Sequence, residues 1–522
     1  MANDGMQDTL TGDQIGEDAN STPENRSTRD GVSTKPPHVR DTPPVVTKHS
    51  LTVNGQTLEY TATTGMVPLK NDKGDVDAHM FFIAYIVDRP EGSAPRPLTF
   101  SFNGGPGSAS IWLHVGALGP KRVHLNDDGT MPVPPFRLVD NEATWLAETD
   151  LVFIDPIGTG FSRPVTPEDG KRYWTFTGDI ASVGEFIRLY LTRNGRWGSP
   201  LFLAGESYGT LRAAGLSKHL IDHGIALNGI VLVSSVLSFQ TLDSANYRGN
   251  DLPHVLYVPA FTATAWYHQK LADDLQSRSL TDTLRQAERW AMSDYLVALA
   301  KGSTIDDEER ESIANELAHF TGLSEQYADD TELRVNIMRF CKELLRAERK
   351  TVGRLDSRFT GRDDLNVTEE PDFDPSLVSP TPPFTAAFNA YVRNTLGYET
   401  DDEYETLSMD VNRAWEFDGD RMGYPETSEA LRATFARNPH MRVLIALGYY
   451  DLATPYFAIE YTINHLGLDR VTRERISFAY YESGHMMYLE RDSRTKFTAD
   501  VTAFVREALG DNSGGIIDIG LS

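Results

Sequence analysis

No stretch of this chain constrains its fold more than Pro200 to Leu220, PLFLAGESYGTLRAAGLSKHL. An apolar run enters Gly205-Glu206-Ser207-Tyr208-Gly209 and a helical pattern leaves it, so a strand, a sharp turn and a helix follow one another. Glycines on both sides of Ser207 permit the tight turn that lifts its hydroxyl off a sheet, and the helix aims its positive end at the same point. A serine held in this way is a nucleophile elbow. The five-residue pattern alone is common; the strand before it and the helix after it supply the context it needs.

The rest of the chain supplies a matching sheet. From His49 the pattern alternates, and LTVNGQTLEYTA places Asn54-Gly55 between two strand-like runs, a strong hairpin signal. Compact β-branched and aromatic runs follow at 80 to 87, 97 to 103, 150 to 156, 200 to 206 and 229 to 235, and again at 441 to 451 and 475 to 485. Helical patterns at Asp179 to Thr192, Tyr208 to His223 and Ser493 to Ala508 lie among them, which is the signature of an α/β fold. From about Phe239 to Met422 the alternation breaks, and segments such as LTDTLRQAERWAMSDYLVALAKG predict a helical insertion. The expected organisation is a disordered tail over 1–45, an α/β core over 46–238, a mostly helical cap over 239–422, the returning core over 423–510 and a tail over 511–522.

Composition narrows the partners. Lys and Arg number 49 against 75 Asp and Glu, a formal net charge of −26, and such a surface repels polyphosphate, so no nucleic-acid partner is expected. No run of about 18 apolar residues occurs, so no membrane-spanning helix is expected. The amino terminus, MANDGMQDTLTGDQIGED, has neither a basic start nor an apolar stretch; the expectation is a cytoplasmic protein, or a periplasmic or secreted one if a signal is missing from the chain. Cys341 is the single cysteine, which excludes an intrachain disulfide. No cofactor or metal is expected: Gly158 and Gly160 in IDPIGTGFS read as a packing turn, and the acidic run DDLNVTEEPDFD lacks the spacing and glycine of a calcium loop. The two arginines of RLDSRFTG, residues 354 to 361, either face the site or lie away from it, which the sequence leaves open.

A serine hydroxyl needs a histidine base, and that base needs a carboxylate to fix its tautomer and stabilise its cation. ALGYYDLATP puts Asp451 just past a strand, and YYESGHMMY puts His485 in the loop after the next strand. The chain order Ser207, Asp451, His485 is that of α/β hydrolases. Negative charge on the tetrahedral intermediate needs donors, and SFNGGPGSAS offers a glycine turn after an early strand. The backbone N–H groups of Gly105 and Tyr208 are the expected oxyanion donors. A phosphate cradle is excluded, because no Gly-Lys-Ser/Thr follows and the dinucleotide spacing of glycines is absent.

Together these segments resemble the serine carboxypeptidase family, peptidase family S10. Asn103 to Gly107, Leu118 to Pro120, DPIGTGFS at 155 to 162, Gly205 to Tyr208, Asp451 and Gly484-His485-Met486 match its motifs in order. The resemblance implies an α/β hydrolase, with a mixed, mostly parallel sheet flanked by helices and a large helical cap. It implies removal of the last residue of a peptide substrate through an acyl-enzyme. It also implies that Asn103, Gly104 and Glu206 recognise the terminal carboxylate, Glu206 by sharing a proton with a second acid, from which an acidic optimum follows. The chain departs from the pattern at that second acid, where Ala117 stands, and carries Ser101 and Ser108 where the family has tryptophan and cysteine. His114, one helical turn before Ala117, either offers a cation to the substrate instead or packs beneath the cap; Met486 is a further substrate contact. The same triad acting on esters or in acyl transfer, and a non-catalytic binding protein on a hydrolase fold, are the alternatives. The sequence leaves the oligomeric state open.

Overall fold

A computed structural model describes residues 43–242, 249–418 and 424–510. The amino-terminal segment 1–45, except for 43–45, and the carboxy-terminal segment 511–522 lie outside the described residues. Nine strands dominate: β1 (Val45–Val53), β2 (Gln56–Lys70), β3 (Val76–Val87), β4 (Leu98–Phe102), β5 (Asp150–Ile154), β6 (Leu201–Ser207), β7 (Gly229–Ser235), β8 (Arg442–Gly448) and β9 (Ile476–Tyr481). They form one sheet in the order β1-β2-β3-β5-β4-β6-β7-β8-β9, and the two-residue strand Arg163–Pro164 pairs with β3.

Two kinds of sequence build the two ends of this sheet. β1, β2, β3 and β5 pair antiparallel in succession, and the leading hairpin turns at Asn54 and Gly55, both at positive φ (51° and 77°), so that Val53 faces Gln56. From β5 onward every neighbour is parallel. The central strands β4 and β7 are buried at every position, as parallel strands covered on both faces must be, whereas edge strand β1 alternates partly buried with exposed residues.

Alternation along each strand sends side chains to two cores. Phe100, Leu203, Leu232 and Ile445 join the helices Phe176–Arg193 and Tyr208–Asp222 on one face. Phe153, Ala204, Val233 and Ala446 join the closing helix Arg491–Ala508 on the other. Each large apolar side chain fully buried there contributes about 2 kcal/mol. Between β7 and β8, Leu252–Tyr267 is buried almost all round and centres a third core with Leu317, Phe340 and Cys341. The helix Thr381–Asn394 does not join it: Phe384, Phe388 and Tyr391 pack into the sheet core beside β1 to β3. Among the described residues no helix is long and apolar enough to cross a membrane.

Candidate active site

Three parallel strands end at the same edge of the sheet, and each delivers one reactive side chain: Ser207 closes β6, Asp451 lies just beyond Gly448 of β8, and His485 just beyond Tyr481 of β9. Ser207 has φ 59° and ψ −130°, a conformation that L residues avoid, and is the one residue of β6 that is not buried. Close packing imposes this turn. A Cβ on Gly205 would lie 2.3 Å from the Gly209 carbonyl oxygen, and one on Gly209 3.0 Å from that of Asn103. No capping bond ties the Ser207 hydroxyl to the helix it precedes.

Asp451 is fully buried and saturated with donors. Its Oδ1 accepts the backbone N–H groups of Ala453 (2.8 Å) and Thr454 (3.0 Å); its Oδ2 accepts the Thr454 hydroxyl (2.7 Å) and His485 Nδ1 (2.7 Å). The bond to Nδ1 assigns the proton to that nitrogen and leaves Nε2 as the acceptor. Burial works to lower the His485 pKa, but the Asp451 carboxylate, its hydrogen bond and the charge of Glu206 outweigh it and raise the imidazole above its ordinary value.

The glycine turn lies directly on the elbow. A Cβ on Gly104 would stand 2.5 Å from the Tyr208 nitrogen and 2.7 Å from the Glu206 carbonyl oxygen. Gly105, at φ 102°, is exposed beside it. Tyr208 opens its helix, so its N–H has no acceptor within that helix. Arg212, wholly buried one turn later, clamps the turn to the helix through Nη1 to the Asn103 carbonyl (2.6 Å) and Nε to Asp179 Oδ2 (2.7 Å). Burial raises the Asp179 pKa and Arg212 opposes that shift. Arg212→Met is expected to destabilise the protein by about 3–5 kcal/mol, because it strands a buried carboxylate, and to lower kcat as the turn loosens; chemical denaturation and kinetics measure both.

Glu206 is buried behind the serine. The Tyr488 hydroxyl donates to its Oε2 at 2.6 Å, and the Asn103 side chain bonds it as well. Burial raises its pKa to about 7; the Asp451 charge adds to this, and His485 and the two hydrogen bonds oppose it. Asn103 Oδ1 meanwhile accepts the N–H of Leu113 (3.1 Å). Glu206 is thus partnered by the Tyr488 phenol and the Asn103 side chain, in a chain whose sequence already lacks the second acid of the family pattern.

Of the two alternatives for His114, the structure takes the packed one. Its ring stacks on Phe153 at 4.1 Å, Nε2 meets the Tyr85 hydroxyl at 2.8 Å, and burial lowers its pKa to about 3, so it is neutral. Met486 is buried in the same apolar core, next in the chain to His485.

Sequence reasoning left the place of 354–358 open; this strap ties the loops that carry Asp451 and His485. The Arg354 carbonyl accepts from Leu452 (3.0 Å), the Leu355 carbonyl from the His485 N–H (2.7 Å), and Asp356 Oδ2 from the Gly484 N–H (3.1 Å). Arg358 pairs with Asp356 and donates to the Glu482 carbonyl and the Ser483 hydroxyl. From β7, the Ser234 hydroxyl holds the His485 carbonyl at 2.6 Å. Thr454 and Tyr488 were missed, since nothing local distinguishes them. Among the described residues no cluster of three or more His, Cys, Asp or Glu side chains is placed to hold a metal ion.

The serine carboxypeptidase family model, peptidase family S10, matches residues 54–499. Serine carboxypeptidase-like 36 of Arabidopsis thaliana is 31% identical over 180 residues, 33% of this chain and 35% of that protein. The pheromone-processing carboxypeptidase KEX1 of Saccharomyces cerevisiae is 37% identical over 176 residues, 30% of this chain and 22% of that protein. The matched stretches therefore span about a third or less of those relatives' own lengths. The crystal structure of the Saccharomyces cerevisiae prohormone-processing carboxypeptidase Kex1 superposes with a TM-score of 0.55 at 17% identity, covering 86% of this chain and 91% of that one, which is likeness of fold. The cytoplasmic location expected from the amino terminus is corrected, because it conflicts with the similarity to KEX1, which is named for processing a pheromone and a prohormone. With one family model running from the leading hairpin to the closing helix, and the elbow, aspartate and histidine set along one sheet edge, the chain belongs to the serine carboxypeptidase family of α/β hydrolases.

Proposed function

We propose that this protein is a serine-type carboxypeptidase that releases the last residue of a peptide through an acyl-enzyme. The observation that carries the reading is the His485–Asp451 pair at the sheet edge where the strained Ser207 turn ends β6. His485 Nε2 takes the Ser207 proton as Oγ attacks the scissile carbonyl carbon. The oxyanion that forms is held by the N–H groups of Gly105 and Tyr208. Collapse breaks the C–N bond, His485 returns the proton to the leaving amine, and water then repeats the sequence on the ester to free Ser207. Asn103, Gly104 and a protonated Glu206 hold the terminal carboxylate, since an un-ionised acid donates to an anion that a carboxylate would repel.

The test is a blocked dipeptide with a free carboxyl end against its amide, across pH 4 to 8, with Ser207→Ala as control. Both substrates should gain rate as the pH rises through the His485 pKa, because only the neutral imidazole accepts a proton. The free-carboxyl substrate alone should then lose its advantage above about pH 7, where Glu206 ionises. Equal cleavage of the amide, or of an ester, at every pH leaves a serine hydrolase and removes the exopeptidase assignment.

A further inference from the structure

The turn His114–Leu118 and the turn Met487–Leu489 face each other across the back of Glu206. On the first, Gly116 and Ala117 present almost no side chain; on the second, Tyr488 is wholly buried. A Cβ on Gly116 would lie 2.7 Å from Tyr488 Cε2 and 3.1 Å from Cδ2, so the tyrosine ring fills the space that a side chain there would need. Its hydroxyl reaches Glu206 Oε2 at 2.6 Å, and the Asn103 side chain bonds both partners.

We propose that Tyr488 is a positioning residue for carboxylate recognition: its phenol stands where a second acid is absent and fixes which oxygen of Glu206 carries the proton offered to the substrate. This rests on the carboxypeptidase reading above.

The chemistry of the two possible partners separates them. Two carboxyl groups share one proton, and the pair loses its ability to bind an anion once that proton leaves. A phenol buried beside Glu206 has its pKa pushed far above the ordinary tyrosine value, by burial first and then by the Glu206 charge, so it remains a donor throughout the working range. Tyr488 therefore donates to Oε2 whether Glu206 is ionised or not, and the acidic proton is left to Oε1. One group then titrates in place of a coupled pair. The ionisable groups that face Glu206 are His485, Asp451 and Tyr488. The titration of His485 acts on every substrate alike and cancels in a ratio of substrates.

The sign of the tyrosine's effect follows from its donor role. A hydrogen bond to the ionised form favours that form, so removing the bond should keep Glu206 protonated to higher pH. The experiment measures the ratio of kcat/KM for a blocked dipeptide and for its amide from pH 5 to 9. In the native protein the ratio should hold at low pH and fall about tenfold per pH unit above a midpoint near 7. Tyr488→Phe should move that midpoint up by about one pH unit, with turnover of the amide within about threefold of native. Gly116→Ala, whose methyl pushes the ring off Glu206, should move it in the same direction. An unchanged midpoint in both variants, or equal losses on both substrates, overturns the role of Tyr488 and leaves the carboxypeptidase reading intact. No preference for the free carboxyl group in the native protein at any pH overturns both.

Discussion

Ser207→Ala should leave a folded protein whose kcat on peptide or ester is about five to six orders of magnitude below native, the largest effect expected of any single change. Removal of the nucleophile from a triad leaves only the contributions of the oxyanion donors and substrate binding. The fold should survive, because the Ser207 side chain caps no helix and the turn is held by Gly205, Gly209 and the glycine loop packed on it. The strain at φ 59° offers a second reading of the same site: Ser207→Gly should be equally inactive and more stable than Ser207→Ala by about 1 kcal/mol. Single-turnover kinetics, thermal unfolding and labelling by a reactive phosphonate measure these outcomes. Loss of less than a hundredfold, or phosphonate labelling that persists in Ser207→Ala, would place the nucleophile elsewhere.

Asp451→Asn should lower kcat by about four orders of magnitude with little change of fold. The asparagine carbonyl can still accept the N–H groups of Ala453 and Thr454, which are 2.8 Å and 3.0 Å from Oδ1 in the native protein. Its amide nitrogen, however, faces His485 Nδ1, where only a proton acceptor fits the native tautomer. The imidazole then carries its proton on Nε2 and cannot take one from Ser207. The stabilising charge on the imidazolium is lost as well, and the raised His485 pKa should return toward or below the ordinary value, since burial opposes the cation and the aspartate no longer offsets it. The pH profile of amide hydrolysis and the imidazole proton resonances of the variant read this directly. A loss smaller than tenfold would remove Asp451 from the site.

Both predictions use residues whose roles could be argued from chain order and local pattern. The nucleophile turn was legible because its cause is local: two glycines, a strand and a helix within ten residues leave few conformations, and Ser207 adopts the strained one. The hairpin at Asn54-Gly55 was legible for the same reason. Alternation of strand and helix gave away the class of fold, and continuous apolar runs marked the strands that are covered on both faces.

Residues remote in the chain were not legible. Tyr488 meets Glu206 across 282 positions, and Leu355 meets His485 across 130, although each pair is within hydrogen-bond distance in space. Periodicity says which face of an element is buried but not which neighbour covers it, so the helix Thr381–Asn394, amphipathic like those before it, could not be told apart from the inserted core by pattern; packing set it against the sheet. The same limit applied to His114. Its spacing from Ala117 suited a substrate contact, and only the aromatic shell of Tyr85, Phe153 and Phe388 around it made it a neutral core residue. By itself the sequence determined the elbow turn, the succession of strands along the chain and the candidate trio Ser207, Asp451 and His485, because short-range sterics and turn chemistry mark them. The tertiary structure alone decided what surrounds that trio: the phenol on Glu206, the arginine behind the glycine turn and the strap beneath the histidine. Those contacts arise where separate elements close on one another, and their energies depend on burial that no local window contains.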